Sequence, residues 1–217
     1  MSPNGDNKES LLDIRGLEVH FETRRGIARA VNQVDLTLYR GECFGLVGES
    51  GSGKTTLILA LLRMIKTPGF IAAGSATLDD GTDLLKLNRE EVRRARLKRV
   101  AMVPQGAMNS LNPVMRIGDQ LMLTIREHAE EGEIPNKETQ LKQVEELLDR
   151  VGLKPAVVRL YPHELSGGMK QRACIAQAIS LNPQLILADE PTSALDVVVQ
   201  RQIMQTLRKL QNELDAT

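Results

Sequence analysis

The sequence predicts an α/β fold with a parallel core, an antiparallel flap ahead of it and a helical insertion within it. Three observations carry this. The first is an apolar run at residues 43–47, a glycine-rich loop at 48–56 and an apolar helix pattern from Lys54 to about Met64. Strand, glycine loop and helix in that order place an anion at a helix N-terminus. The second is Leu185-Ile186-Leu187-Ala188, a buried-strand pattern that ends in Asp189 and Glu190. The third is the stretch 106–164, which has helical periodicity and no strand alternation.

Composition excludes several classes. The chain has 217 residues, 41% hydrophobic and 26% charged, which suits a globular domain with one substantial core. Its formal net charge is zero and aromatics are 2%, so neither a basic field nor a stacking platform points to nucleic acid. Cys43 and Cys174 fall in predicted buried elements without metal-like spacing, and read as reduced structural thiols. Residues 1–10 form a polar tail without a secretory h-region. No apolar run reaches the roughly 20 residues of a membrane helix.

The elements follow in order. Strand character runs from Leu11 to Phe21 and again from Ile27 to Leu38, with a break at Arg24-Arg25-Gly26. Phe21 is compatible with stacking on an adenine or with a half-buried strand position. A strand is expected at 73–78, followed by an Asp79-Asp80-Gly81 turn. Asn88 and Glu91 form a capping-box pattern that opens a basic helix to about Lys98. Val100–Val103 reads as a second core strand ending at Gln105, and a helix is expected at 117–128. Asn136 caps a helix from Lys137 to Val151, with Leu141, Val144, Leu148 and Val151 on its buried face and Gly152 as its stop. Ser166 caps a helix that runs to about Ser180, and the last helix, 197–214, buries Ile203, Leu207, Leu210 and Leu214.

Chemistry concentrates in three places. Gly48, Glu49, Ser50, Gly51, Ser52, Gly53, Lys54, Thr55 and Thr56 satisfy G-x-x-x-x-G-K-[ST] at every fixed position. Glycines let successive N–H groups face a phosphate, Lys54 reaches the β- and γ-phosphates, and the Thr55 hydroxyl can ligate Mg²⁺. Asp189 suits Mg²⁺, directly or through water, and Glu190 suits orienting and deprotonating an attacking water. Gly167 and Gly168 are costly in a first helical turn, unless backbone must approach an anion closely; an ordinary glycine-rich cap is equally compatible. A guanine reader is absent, since Asn136-Lys137-Glu138-Thr139 lacks the aspartate of N-K-x-D.

Five elements now stand in one order: the loop 48–56, Gln105, Leu165–Arg172, Leu185–Glu190 and Ser193-Ala194-Leu195-Asp196. That order resembles the ATP-binding cassette (ABC) ATPases, whose hallmark is Leu-Ser-Gly-Gly. The resemblance covers residues 11–217. It implies a P-loop NTPase with a RecA-like core, an N-terminal antiparallel β subdomain and a helical subdomain at about 106–164. It implies two cassettes that sandwich two ATPs, with Ser166, Gly167 and Gly168 acting in trans. It also implies that Gln105 senses Mg²⁺ and the attacking water, that Phe21 stacks on adenine, and that Asp196 belongs to the nucleotide site.

The segment 108–120, with its Ser110-Leu111-Asn112-Pro113 run, resembles the oligopeptide/dipeptide/nickel importer branch. Expected partners are a second ATPase subunit, transmembrane permease subunits and, indirectly, an extracytoplasmic solute-binding protein. Expected placement is peripheral, on the cytoplasmic face of the cell membrane. Met108, Leu111 and Met115 are expected to help dock the permease. His20, His128 and His163 all precede the strand at 185–188, so none matches the family's switch histidine. The chain is therefore expected to be a C-terminally incomplete cassette that binds ATP–Mg²⁺ and turns it over slowly. The alternatives are an ABC ATPase without a transporter and a binding-only module.

Overall fold

The computed structural model describes residues 9–106, 110–129 and 136–217. The chain divides into two compact units, one up to Val92 together with Thr217, the other Arg93–Ala216. Met108 and the acidic connector at 130–135 lie outside the described residues.

The first unit is built on strands β1 (Ser10–Thr23), β2 (Gly26–Tyr39) and β3 (Gly69–Leu78). They form an antiparallel sheet in the order β2-β1-β3, the expected flap. Its inward positions change parity along β1. Leu12 and Ile14 are buried, then Leu17 and Val19. Alternation survives that change because the register shifts between Ile14 and Leu17, where one extra residue is absorbed. Helix α1 (Lys54–Leu61) packs on β1 and β2 and buries Leu57, Ala60 and Leu61.

Residues 43–47 depart from expectation. They form no strand, and Phe44, Leu46 and Val47 are 49%, 47% and 93% exposed. Cys43 is exposed as well, against its predicted burial. A short apolar run becomes a strand only through a ladder partner. None of the described pairings includes this run.

The second unit holds the parallel pair β4 (Val100–Val103) and β5 (Leu185–Ala188), in register from Val100↔Leu185 to Val103↔Ala188. Around it lie α3 (Ile117–His128), α4 (Lys137–Arg150), α5 (Gly167–Ala178) and α6 (Val197–Leu214). Helix α2 (Arg89–Ala95) spans the boundary between the units. Its capping box is formed. Asn88 Oδ1 accepts from the Glu90 and Glu91 amides at 2.9 and 3.0 Å, and Glu91 Oε2 accepts from the Asn88 amide at 2.7 Å.

Helices α3 and α4 share one hydrophobic cluster with β4, α5 and α6, through residues such as Ile117, Val144, Leu148, Ile175, Ile203 and Leu210. The α4 face is rotated from the one expected. Val144, Leu148 and Val151 are buried, but Leu147 and Gln140 join them and Leu141 stays 36% exposed. Gln140 tolerates burial because its Oε1 accepts from Arg126 Nε at 2.7 Å. Cys174 lies in the same cluster, and burial pushes its thiol up to about 12, so it packs as a protonated, apolar side chain.

The loop expected to dock a partner folds differently. Leu111 is buried in the cluster, whereas Val114 is 79% exposed. Buried Gln120 shapes this turn. It accepts from the Asn112 amide at 2.9 Å and donates to the Asn112 and Met115 carbonyls at 3.0 and 2.9 Å. Leu111 is thereby a core residue and cannot serve as an exposed anchor.

Candidate nucleotide site

In the first unit the glycine loop leads into α1. Gly51 and Gly53 have φ of +81° and +93°, a region that L side chains rarely adopt. At Gly53, the N-cap of α1, a Cβ would stand 2.3 Å from the Ala30 carbonyl oxygen on β2. The loop therefore needs glycine there for conformation and for space. We expect Gly53→Ala to lower the thermal midpoint by several degrees, since strained backbone alone costs about 1–3 kcal/mol. A variant that melts with the wild type would show that the loop relaxes without cost.

No side chain caps α1, so its positive N-terminus is built from backbone alone. Lys54 turns back over the loop. Its Nζ donates to the Gly48 and Glu49 carbonyls at 2.7 Å each and approaches Ser52 Oγ at 3.3 Å. The Ser52 amide donates to the Glu49 carbonyl at 3.2 Å, closing the turn that holds Ser50 and Gly51. Thr55 and Thr56 follow in the first turn of α1. An ammonium fixed among carbonyls above a glycine turn and a helix N-terminus is suited to polyphosphate. Phe21, at the far end of β1, is half-buried, and its ring edge rests on Gly69 of β3, where an added Cβ would come within 2.5 Å of it.

In the second unit β5 delivers two carboxylates. Asp189 is buried and its amide continues the β4–β5 ladder by donating to the Val103 carbonyl at 2.9 Å. Glu190 is exposed and takes φ +45°, off the strand path. Gln105, in the turn after β4, donates from Nε2 to Glu190 Oε2 at 2.6 Å. These two residues, 85 positions apart in sequence, are thus brought into direct contact. The segment after Glu190 holds a second left-handed residue, Ala194 at φ +64°, before Asp196 caps α6 through Oδ1 and the Val199 amide at 3.0 Å.

Ser166 caps α5, its Oγ accepting from the Met169 amide at 3.3 Å. The cap uses one acceptor position and leaves the hydroxyl proton available to donate. Gly167 opens α5. Gly168 faces α6, where an added Cβ would lie 2.8 Å from Val199 Cγ1, so α5–α6 packing gives it a structural reason to be glycine.

Sequence reasoning did not single out Gln120 or Gln200. Both are polar side chains that bind loop carbonyls, and nothing in residue type or spacing marks that use. Among the described residues no cluster of three or more His, Cys, Asp or Glu could hold a metal ion alone. No helix among them is long and apolar enough to cross a membrane.

A family model described as ABC transporter matches residues 31–193. A Brucella ovis protein with the provisional name of peptide import ATP-binding protein is 46% identical over 214 residues, 95% of this chain and 62% of the relative. The oligopeptide transport ATP-binding protein OppD of Haemophilus influenzae is 42% identical over 94% of this chain and 62% of its own length. OppD of Escherichia coli is 42% identical over 95% of this chain and 60% of its own length. The chain thus spans less than two thirds of these relatives. Among solved structures, the dimeric ABC transporter cassette MJ0796 superposes with a TM-score of 0.79 at 29% identity, over 94% of this chain and 84% of the cassette. A second structure of that cassette, with the same match, holds ADP and phosphate after hydrolysis.

Proposed function

Since the chain belongs to the ABC transporter family and has its cassette fold, we propose that it is the ATP-binding and ATP-hydrolysing subunit of an importer of oligopeptides, dipeptides or a related solute. The observation that carries the nucleotide reading is the loop around Lys54. Left-handed glycines, an α1 N-terminus without a side-chain cap and a carbonyl-bound ammonium together make a triphosphate cradle. The naming of the relatives for peptide transport supports the solute class.

The residues divide the work by chemistry. Backbone amides of residues 48–56 and the Lys54 ammonium bind the phosphates, and Phe21 offers an apolar face to the base. By the family resemblance, Thr55, Gln105 and Asp189 are the residues that would hold Mg²⁺, an ion that takes few protein oxygens and keeps waters and phosphates as its other ligands. Bound Mg²⁺ supplies charge neutralisation at the β- and γ-phosphates. Glu190, oriented by Gln105, accepts the proton of the attacking water. Ser166, Gly167 and Gly168 present a hydroxyl donor and the α5 N-terminus to the γ-phosphate of a second subunit's nucleotide.

Permease subunits supply the membrane path, and the ATPase attaches peripherally at the cytoplasmic face. Val114, held outward on the turn that Gln120 shapes, is the apolar contact offered to the permease. Val114→Asp in the full-length protein should lower recovery of the permease complex and leave ATP affinity unchanged; full recovery of the complex would remove that contact. The function itself is tested by measuring nucleotide affinity and phosphate release separately, then solute uptake in reconstituted vesicles. ATP binding without turnover in the full-length protein would favour a binding-only module. Turnover that no permease stimulates would favour an ABC ATPase outside transport.

A further inference from the structure

The segment between Glu190 and α6 is short, carries two left-handed non-glycine residues, Glu190 and Ala194, and contains few hydrogen bonds of its own. The Ser193 amide donates to the Glu190 carbonyl at 3.0 Å, and the Leu195 amide reaches the Thr192 carbonyl at 3.4 Å. Among the described contacts, the other hydrogen bonds to the segment's carbonyls before Asp196 come from one side chain. Gln200, half-buried in the first turns of α6, donates from Nε2 to the Leu195 carbonyl at 3.0 Å and to the Thr192 carbonyl at 3.3 Å. One amide thus spans both sides of the Ala194 kink. The base of the clamp is firm, because the Gln200 backbone amide donates to the Asp196 carbonyl at 2.8 Å while Asp196 caps the same helix.

We propose that Gln200 is a positioning residue for ATP hydrolysis. By holding the Thr192 and Leu195 carbonyls it fixes the left-handed path after β5, and with it the direction from which Glu190 meets Gln105. This rests on the reading of Glu190 as the group that orients the attacking water. Gln200 touches neither Glu190 nor Gln105 in the described contacts, so its effect passes through the loop backbone. The primary amide is the right group for this position. It supplies two N–H bonds from one nitrogen, whereas a carboxylate of the same shape would face both carbonyls with negative charge.

The test uses Gln200→Leu and Gln200→Glu in the full-length protein. Both are expected to lower kcat for ATP by 10-fold or more while KM and nucleotide affinity stay within about twofold. Hydrogen exchange at the Ser193 and Leu195 amides should accelerate at least 10-fold in each, with the rest of α6 unchanged. Gln200→Glu adds a pH readout. Its carboxyl, facing two carbonyls, should take up a proton more readily than a solvated glutamate and then donate one bond. Its kcat deficit should therefore shrink as pH falls from 8 to 5.5, while the Gln200→Leu deficit stays constant. Wild-type kcat in both variants, or unchanged exchange at Ser193 and Leu195, overturns the proposal. If wild-type protein itself shows no turnover, the ATPase reading fails, and the exchange measurement still decides whether Gln200 holds the loop.

Discussion

Replacing Lys54 by alanine is expected to weaken ATP binding by about 10²-fold or more, the largest affinity loss expected of any single change in this chain. The ammonium has two tasks. Its bonds to the Gly48 and Glu49 carbonyls, both 2.7 Å, tie the start of the glycine loop to the start of α1. On the proposed reading its positive charge also serves the phosphates, which are the most negative part of the ligand. Hydrogen bonds to charged groups contribute about 1.5–3 kcal/mol each, and about 1.4 kcal/mol is tenfold in affinity. Loss of two such bonds from the ammonium to phosphate oxygens would account for the expected fall. Lys54→Arg should recover only part of it, because a planar fork does not reproduce a compact ammonium among three close acceptors. Titration with a fluorescent nucleotide, beside a thermal unfolding curve for each variant, reads the effect. A folded Lys54→Ala protein with wild-type affinity would mean that the loop is an ordinary glycine turn.

What the sequence made legible is what local chemistry determines. The caps at Asn88, Asn136 and Ser166 each need only a side chain and an amide two or three residues on, and all three form. The bounds of α3 and the strand Leu185–Ala188 follow equally from periodicity and short apolar runs. Features that depend on distant neighbours were misread. Residues 43–47 have a buried strand's composition and no ladder, and Phe44 and Val47 face solvent. Leu111 reads as a loose apolar loop residue until Gln120, nine positions on, is seen to gather the Asn112 and Met115 backbone around it. On α4 a rotation of roughly one residue exchanges Leu141 for Leu147 and places Gln140 inside, a change allowed by one bond from Arg126. At the candidate site, residue types and spacing singled out Lys54, Gln105, Asp189 and Glu190 as candidates. The contact between Gln105 and Glu190 and the clamp by Gln200 are tertiary facts, since pattern alone does not say which amide meets which oxygen.

Glu190→Gln is expected to cut turnover in the full-length protein by about 10²–10⁴-fold, the range for losing a positioned general base, with ATP affinity intact. The substitution keeps the size and planarity of the side chain, and the amide oxygen can still accept from Gln105 Nε2 where Glu190 Oε2 now does at 2.6 Å. What it removes is the ability to take a proton. Nucleotide should then persist, and a dimer with ATP bound should accumulate in size-exclusion runs with ATP that the wild type consumes. The Gln105 contact allows a sharper version. If its amide orients the Glu190 carboxylate, Gln105→Ala should itself lower kcat, and the double variant should be little slower than Glu190→Gln alone. Residues that act through one another are non-additive in this way. Full additivity would show that Gln105 works on the reaction by a separate route. Wild-type turnover by Glu190→Gln would show that the base lies elsewhere, and that the carboxylate at the end of β5 is placed there by the turn geometry alone.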